Sequence, residues 1–448
     1  MIGEDTGTDP DNAHLALLRA IRTAGPGECI PDAETLAAHL EARLDAAGPV
    51  ALVEFQRACK AAAERWGAEP TAHFGRVLRR ARARAKPPPK TKRAEAIEAI
   101  GRLPVDWRPA LRARLEPGAD VWSADHTLSV ARALHRWRGY AGARGLPLMP
   151  TGAALDAYGQ WLIGGGTGGA NIRRKPPSLR SVADYLARIE TGLATIHPGA
   201  DSPARAFVVR DWRERADRHG PTTKTGAQLV GASVIYGLGF DLIQAARHAS
   251  PRGVDAARLY RNGLILAVGA ALPERARALA ALAFGTTLRP LGEDRIHVRL
   301  PPSVLKMPER LKADAPPFDA VFANPGLAEA LETYRRGFRP IFDDGACLFP
   351  SVKAPGQAIG ERQIGRLSGD LTEKAFGVRI PIHRLRDNVA TEASETLAGG
   401  GLAATALLRH RDPATTARHY DHADGLEAAR AFAAEIDRRR SRPTDLDL

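Results

Sequence analysis

Apolar residues recur at intervals of three and four along most of this chain, and that spacing constrains its fold more than any other feature. Leu36, Leu40 and Leu44 line one side of a helix, as do Val182, Leu186, Ile189 and Leu193. Strand-like stretches are few. They cluster between Ala283 and Phe322, in AFGTTLRPLGEDRIHVRLPPSVLK and FDAVF. The pattern predicts a mainly α chain with one small β-sheet. Its 448 residues suffice for two to four domains with sizeable cores.

Three regions follow from composition. Residues 1–113 read as an N-terminal helical region of unknown role that ends in a basic, proline-interrupted tract. Residues 114–216 carry four of the six tryptophans (Trp122, Trp137, Trp161, Trp212) and read as a small helical bundle. After the linker-like ADRHGPTTKTGAQ, residues 227–448 hold the strands and nearly all the chemically suggestive side chains.

Charge narrows the partners. Lys and Arg number 64 against 51 Asp and Glu, a net charge of +13, which favours polyanions: nucleic acid or an anionic membrane. The longest apolar run, Gly263 to Leu272, is half a bilayer span and stops at Pro273. The acidic, polar start MIGEDTGTDPDN is no secretion signal. Three scattered cysteines (Cys29, Cys59, Cys347) give neither a disulfide framework nor a Cys-pair zinc site. The expectation is a cytoplasmic protein that seeks DNA or RNA and spans no membrane.

Two basic stretches are candidates for that contact. From Pro70 to Arg93 there are nine Lys and Arg residues and no acid, split by Pro87, Pro88 and Pro89. A solvated helix face followed by a hinge and a DNA-contacting surface both fit this tract. The loop GGGTGGANIRRKPPS brings Arg173, Arg174 and Lys175 as candidate DNA contacts. It matches no phosphate-loop pattern, so a nucleotide site there is not expected.

The stretch from Ile380 to Phe432 carries the chemistry. His383 and Arg386 are three apart and share a helix face; His410 follows the turn-forming AGGG, and Tyr420 lies ten residues on. Such a set suits a phosphodiester. Arginine's planar fork binds two non-bridging oxygens at once, histidines donate or shuttle a proton, and a tyrosine hydroxyl can attack phosphorus once deprotonated.

This segment resembles the catalytic end of the tyrosine recombinase (phage-integrase) family, whose pattern is His-x-x-Arg, Leu-Gly-His, a Thr-Thr pair and the nucleophilic Tyr. Here it reads His383-Arg-Leu-Arg386, Leu408-Arg409-His410, Thr415-Thr416 and Tyr420. Upstream, the family's Gly-Leu-Arg-x-x-Glu-Leu-x-x-Leu is matched by a buried helix and then Arg275, with Leu279 and Leu282 in step. A sheet lysine is offered by Lys306, with Lys312 as second choice, and LFPS (Leu348 to Ser351) precedes the His-x-x-Arg helix. The resemblance covers about 250–436 by motif. It implies a helical, SAM-like core-binding domain over 114–216 and an α+β catalytic domain over 227–448.

The resemblance implies DNA breaking and rejoining through a 3′-phosphotyrosine, with no metal and no other cofactor. Tyr420 is the nucleophile, Arg275 and Arg386 clamp the non-bridging oxygens, His383 and His410 assist, and Lys306 protonates the leaving 5′ oxygen. It further implies a C-shaped clamp on duplex DNA, a homotetramer assembled on two specific recombination sites, a role in integrating or excising mobile DNA, and room for an accessory DNA-bending protein. The amphipathic tail GLEAARAFAAEIDRRR (apolar at Leu426, Ala429, Phe432, Ala433 and Ile436) packs on its own domain or docks on a neighbouring protomer.

The sequence departs from the pattern at several places. Glu274 precedes Arg275 where the family has Leu, and Ala278 stands where it has Glu. Asp387 follows Arg386 where His is common. Arg409 replaces the Gly before His410, which makes it a candidate phosphate contact. His419 occupies the position where many members place the tyrosine, although some carry a His-Tyr pair there. Three other readings remain. One is a DNA-binding integrase remnant that cannot cut; another is a type IB topoisomerase-like strand transferase. The third, a metal hydrolase on His383, His410, His419 and His422, lacks a carboxylate at ligand spacing.

Overall fold

The computed structural model describes residues 30–67, 70–84, 90–118, 120–166, 176–200, 202–220, 225–250, 253–397 and 399–409. Short polar side chains start many of its helices by accepting the backbone N–H groups that a first turn leaves unbonded. Asp32 does so for Thr35 at 2.7 Å ahead of α1 (Ala33–Ala47). Helices α2 (Val50–Trp66) and α3 (Ala72–Arg84) follow, and the three enclose Leu36, Leu40, Phe55 and Phe74. Thr91 caps α4 (Lys92–Gly101), and the short α5 (Arg108–Ala113) comes next. Ser123, Thr151, Ser178 and Ser202 cap α6 (Ala124–Gly142), α7 (Gly152–Ile163), α8 (Leu179–Ile196) and α9 (Pro203–His219).

The chain divides into two compact units. One comprises residues 1–87, 225–306 and 316–448; the other comprises 88–224 with 307–315. The sequence places a boundary at 113, and the structure moves it. Ala96, Ile100, Leu103, Trp107 and Leu111 recur at three and four and are buried in the same core as Trp137, Tyr158 and Trp212. A ten-residue helix cannot bury such a stripe by itself, so α4 and α5 join the tryptophan-rich bundle. The two indoles at its centre keep hydrogen-bond partners: Trp137 donates to the Leu148 carbonyl and Trp212 to the Asp156 carboxylate, both at 2.7 Å.

The first unit is built on α10 (Ala232–His248) and α11 (Val254–Ala271). The run from Leu264 to Val268 is buried on every side of α11, as its all-round apolar character requires. The two helices cross at glycines: a Cβ on Gly263 would lie 2.5 Å from the Gly239 carbonyl oxygen and 2.9 Å from Ile243. Backbone cannot yield there cheaply. Gly263→Ala is expected to cost about 1–3 kcal/mol of stability, the usual penalty for overpacking, seen as a lower urea midpoint; an unchanged midpoint would refute the crossing as drawn.

After the short α12 (Ala276–Ala280) come β1 (Leu288–Leu291), β2 (Arg295–Leu300) and β3 (Phe318–Ala323), an antiparallel sheet in that order with Leu288 opposite Val298 and Val298 opposite Ala320. Ile296, Val298 and Leu300 face the core at period two, while Arg295 and Arg299 are exposed. The strands thus begin at Leu288; Ala283 makes only an isolated bridge to Cys347. Helices α13 (Pro325–Thr333), α14 (Glu361–Phe376), α15 (Ile382–Thr396) and α16 (Gly401–Leu408) complete the described part. The whole is mainly α with one small sheet. Among the described residues no helix is long and apolar enough to cross a membrane.

A buried ion pair fastens the segment between α13 and α14. The Arg339 guanidinium (3 % exposed) bonds the Asp343 carboxylate at 2.8 Å and the carbonyls of Asp343 and Cys347. The Asp343 carboxylate also accepts the Gly345 and Gly356 amides, both at 2.8 Å. This holds LFPS in place: Leu348 and Phe349 are fully buried, and Arg261 of α11 bonds the Pro350 carbonyl at 2.8 Å.

Candidate active site

Arg275 follows the buried α11 as the sequence anticipates, but it stands just ahead of α12 in extended conformation (φ −71°, ψ 152°), not inside a helix. It is half-buried; its carbonyl accepts the Leu279 amide at 3.0 Å, while its guanidinium has no hydrogen-bond or ion-pair partner among the described residues. A guanidinium left in that state can take an anion without breaking an existing bond.

His383 and Arg386 lie one turn apart at the start of α15, so both are on one face as their spacing requires. Their environments differ. His383 is exposed, whereas Arg386 is 2 % exposed and donates from Nη2 to the Leu408 carbonyl at 3.4 Å. The last carbonyls of a helix lack intrahelical donors, so Arg386 ties α15 to the C-terminal end of α16, two residues before His410.

At that end stands Arg409, with φ +54° and ψ +43°, the one non-glycine residue with positive φ among those described. It closes α16 in the left-handed conformation that Gly takes without penalty. An L side chain there costs about 1–2 kcal/mol. Two contacts offset the cost: the guanidinium pairs with the Glu274 carboxylate, and it stacks over the Phe318 ring of β3 at 4.0 Å. Burial lowers the Arg409 pKa from its usual range. Arg409, expected as a phosphate contact, is therefore engaged within the protein. The same pair joins the turn carrying Arg275 to the turn preceding His410, positions 135 apart in sequence. Glu274 is 6 % exposed. Sequence reading saw Glu274 and Arg409 as two separate departures and missed that they are partners; their opposite charge was the available signal.

Asp387, a third departure, is also matched. It pairs with Arg384 on the same helix, both under a tenth exposed, and Arg384 reaches the Gln228 side chain at 3.3 Å. Lys306 is exposed and lies in the β2–β3 connection rather than on a strand. Lys312 pairs with Glu309 at 2.9 Å and belongs to the other compact unit. His410, Tyr420, the Thr415-Thr416 pair, His419, His422 and the amphipathic tail stretch lie outside the described residues, as do Arg173, Arg174 and Lys175.

The basic tract is largely engaged at home. On α3, Arg76 donates to the Pro340 carbonyl at 3.2 Å and Arg79 to the Ile341 carbonyl at 3.4 Å, while Arg80 pairs with Asp344. Arg82 bonds Gln56 and Arg84 pairs with Glu41. Burial lowers the pKa of both Arg76 and Arg79. Farther on, Lys90 meets Glu98 at 2.6 Å and Arg93 meets Glu116 at 2.8 Å. This stretch is built into the fold, and its most basic helix is fixed to the first unit.

No family model matches the chain, and no curated protein matches it. Among solved structures it is similar to XerA recombinase, with 17 % identity and a TM-score of 0.33, covering 77 % of this chain and 100 % of that one. It is also similar to XerH site-specific recombinase bound to palindromic difH substrate in a post-cleavage complex, with 13 % identity and a TM-score of 0.38, covering 77 % of this chain and 97 % of that one. Neither likeness is large enough to assign a function.

Proposed function

We propose that this chain is a tyrosine recombinase that cuts and rejoins duplex DNA at specific sites. What carries the reading is one observation: Arg275, His383, Arg386, His410 and Tyr420 occur in the family's order and spacing. It is supported by the contacts that draw the described members toward one another. Arg386 bonds the Leu408 carbonyl, and Glu274, beside Arg275, pairs with Arg409, beside His410.

In this reading the Tyr420 oxygen attacks the scissile phosphorus, and the bond to the 5′ oxygen breaks. The 3′ end remains on tyrosine, and Lys306 gives the departing oxygen its proton. The phenol, with a pKa of roughly 10 in water, loses its proton to a histidine, His383 or His410. Arg275 and Arg386 contact the non-bridging oxygens, where charge grows in the transition state. Because the phosphotyrosine conserves the bond energy, rejoining is attack by a 5′ hydroxyl and needs no nucleotide cofactor. Tetramer formation on two sites, an accessory bending protein and a role in mobile DNA belong to the same proposal. So does a cytoplasmic location.

The test is covalent trapping. Purified protein is incubated in EDTA with nicked suicide duplexes drawn from sequence flanking its own gene. A denaturing gel should then show a protein–DNA adduct. Salt-dependent binding without an adduct, across the flanking sequence, would favour the non-cutting remnant. Relaxation of a plasmid lacking any such site would favour a topoisomerase. Loss of cleavage in EDTA would favour a metal hydrolase.

A further inference from the structure

The two departures at Glu274 and Arg409 form one device. We propose that the Glu274–Arg409 pair is a positioning clamp that holds the Arg275 turn against the C-terminal end of α16 and masks a carboxylate that would otherwise repel the substrate. The inference rests on the recombinase reading above. Its physical basis is independent of it.

Glu274 is nearly buried and sits one residue from a guanidinium that has no partner of its own among the described residues. A bare carboxylate in that place would neutralise Arg275 or repel a phosphodiester. The Arg409 guanidinium takes up the carboxylate and stacks on Phe318, which fixes its own orientation. Only arginine offers a planar fork that can do both. The left-handed backbone at Arg409 points the same way. Glycine would relieve that strain, yet the position holds a residue whose side chain reaches across to another element. Where the family's sequence pattern has Leu before the first Arg and Gly before the second His, this chain has a charge pair.

The clamp makes a reciprocal prediction. Glu274→Leu leaves Arg409 as an unmatched cation, and Arg409→Gly leaves Glu274 as an unmatched, nearly buried anion. Leaving one member of such a pair behind is what costs most. Each single variant should slow cleavage at saturating DNA about tenfold or more, because the two turns lose their tie. DNA affinity should move in opposite senses, held or tightened in Glu274→Leu and weakened in Arg409→Gly. The double variant removes both charges and should return cleavage to within about threefold of the wild type. Arg409→Lys, which keeps a charge but loses the fork, should recover part of the loss.

The experiment measures cleavage rate and DNA affinity for these four variants and the wild type, with hydrogen exchange of the 404–409 amides in DNA-free protein. Faster exchange in both singles and wild-type exchange in the double would support the clamp. Additive losses, or singles that cut and exchange like the wild type, would overturn it. If the wild type itself never cuts DNA, the recombinase reading fails. Exchange then decides the clamp alone: coupled changes uphold it and additive ones end it. A Glu274→Leu chain that does not fold leaves Arg409→Gly and Arg409→Lys to decide: wild-type exchange in Arg409→Gly overturns the clamp, and faster exchange partly restored by lysine upholds it.

Discussion

Tyr420→Phe should abolish the covalent adduct while leaving salt-dependent DNA binding intact. The substitution removes one oxygen, the atom proposed to attack phosphorus, and leaves the ring that any packing role would use. Removal of a nucleophile costs on the order of 10⁴-fold or more in rate, because the remaining groups then stabilise a reaction that has lost its attacking atom. Binding draws on many phosphate contacts by other side chains and should fall less than about threefold. His419 gives the experiment a second arm. In His419→Tyr/Tyr420→Phe the hydroxyl returns one position earlier, where many family members carry it. A restored adduct would show that the register of this segment is permissive; none would show that it is strict. An adduct persisting in Tyr420→Phe alone would remove Tyr420 from the reaction.

The second large effect concerns stability. Asp343→Ala should lower folding stability by about 3–5 kcal/mol, the cost of leaving a buried partner charge behind. Arg339 would keep its guanidinium at 3 % exposure with no carboxylate opposite, and the amides of Gly345 and Gly356 would lose their acceptor. The acid limb of the stability curve should change as well. Burial by itself would raise the Asp343 pKa, but the Gly356 amide, Arg339 and the Gly345 amide together outweigh it and hold the carboxyl below its usual range. A depressed folded pKa contributes stability above the unfolded value, about 3.9 for Asp, and loses it as pH falls through the folded value. The wild-type advantage over Asp343→Ala should therefore be full at neutral pH and shrink below about pH 4. Urea midpoints at pH 7 and pH 3 check this; equal midpoints at pH 7 would refute the role given to the pair.

What was legible beforehand, and what was not, divides by the range of the interaction. Spacing along a helix is local, so Val182 to Leu193 of α8 and the buried stripe of α11 could be read directly. The strands were visible because β-branched and aromatic residues gather in one short stretch, although the turn at Ala283–Thr287 joins no named strand. The boundary at 113 misled because charge and proline suggested a break, whereas the apolar residues of α4 and α5 keep their period and need the tryptophan bundle to cover them. The proposed site stands in the sequence as an ordered motif, because Arg275, His383 and Arg386 keep their chemical identity wherever they fold. The pairing of Glu274 with Arg409 was not legible there, since opposite charge alone does not say which of the chain's many charged residues, so far apart in sequence, will meet.

The seating of α3 on residues 340–344 has a consequence for anyone who would shorten this protein. A chain begun after residue 87 would appear to discard only an appendage. It would strip the guanidiniums of Arg76 and Arg79 from the carbonyls of Pro340 and Ile341 and leave Asp344 without Arg80, beside the pair that anchors LFPS. Dissection at that point would report on a damaged remainder, so the leading helices are better studied by substitution than by removal.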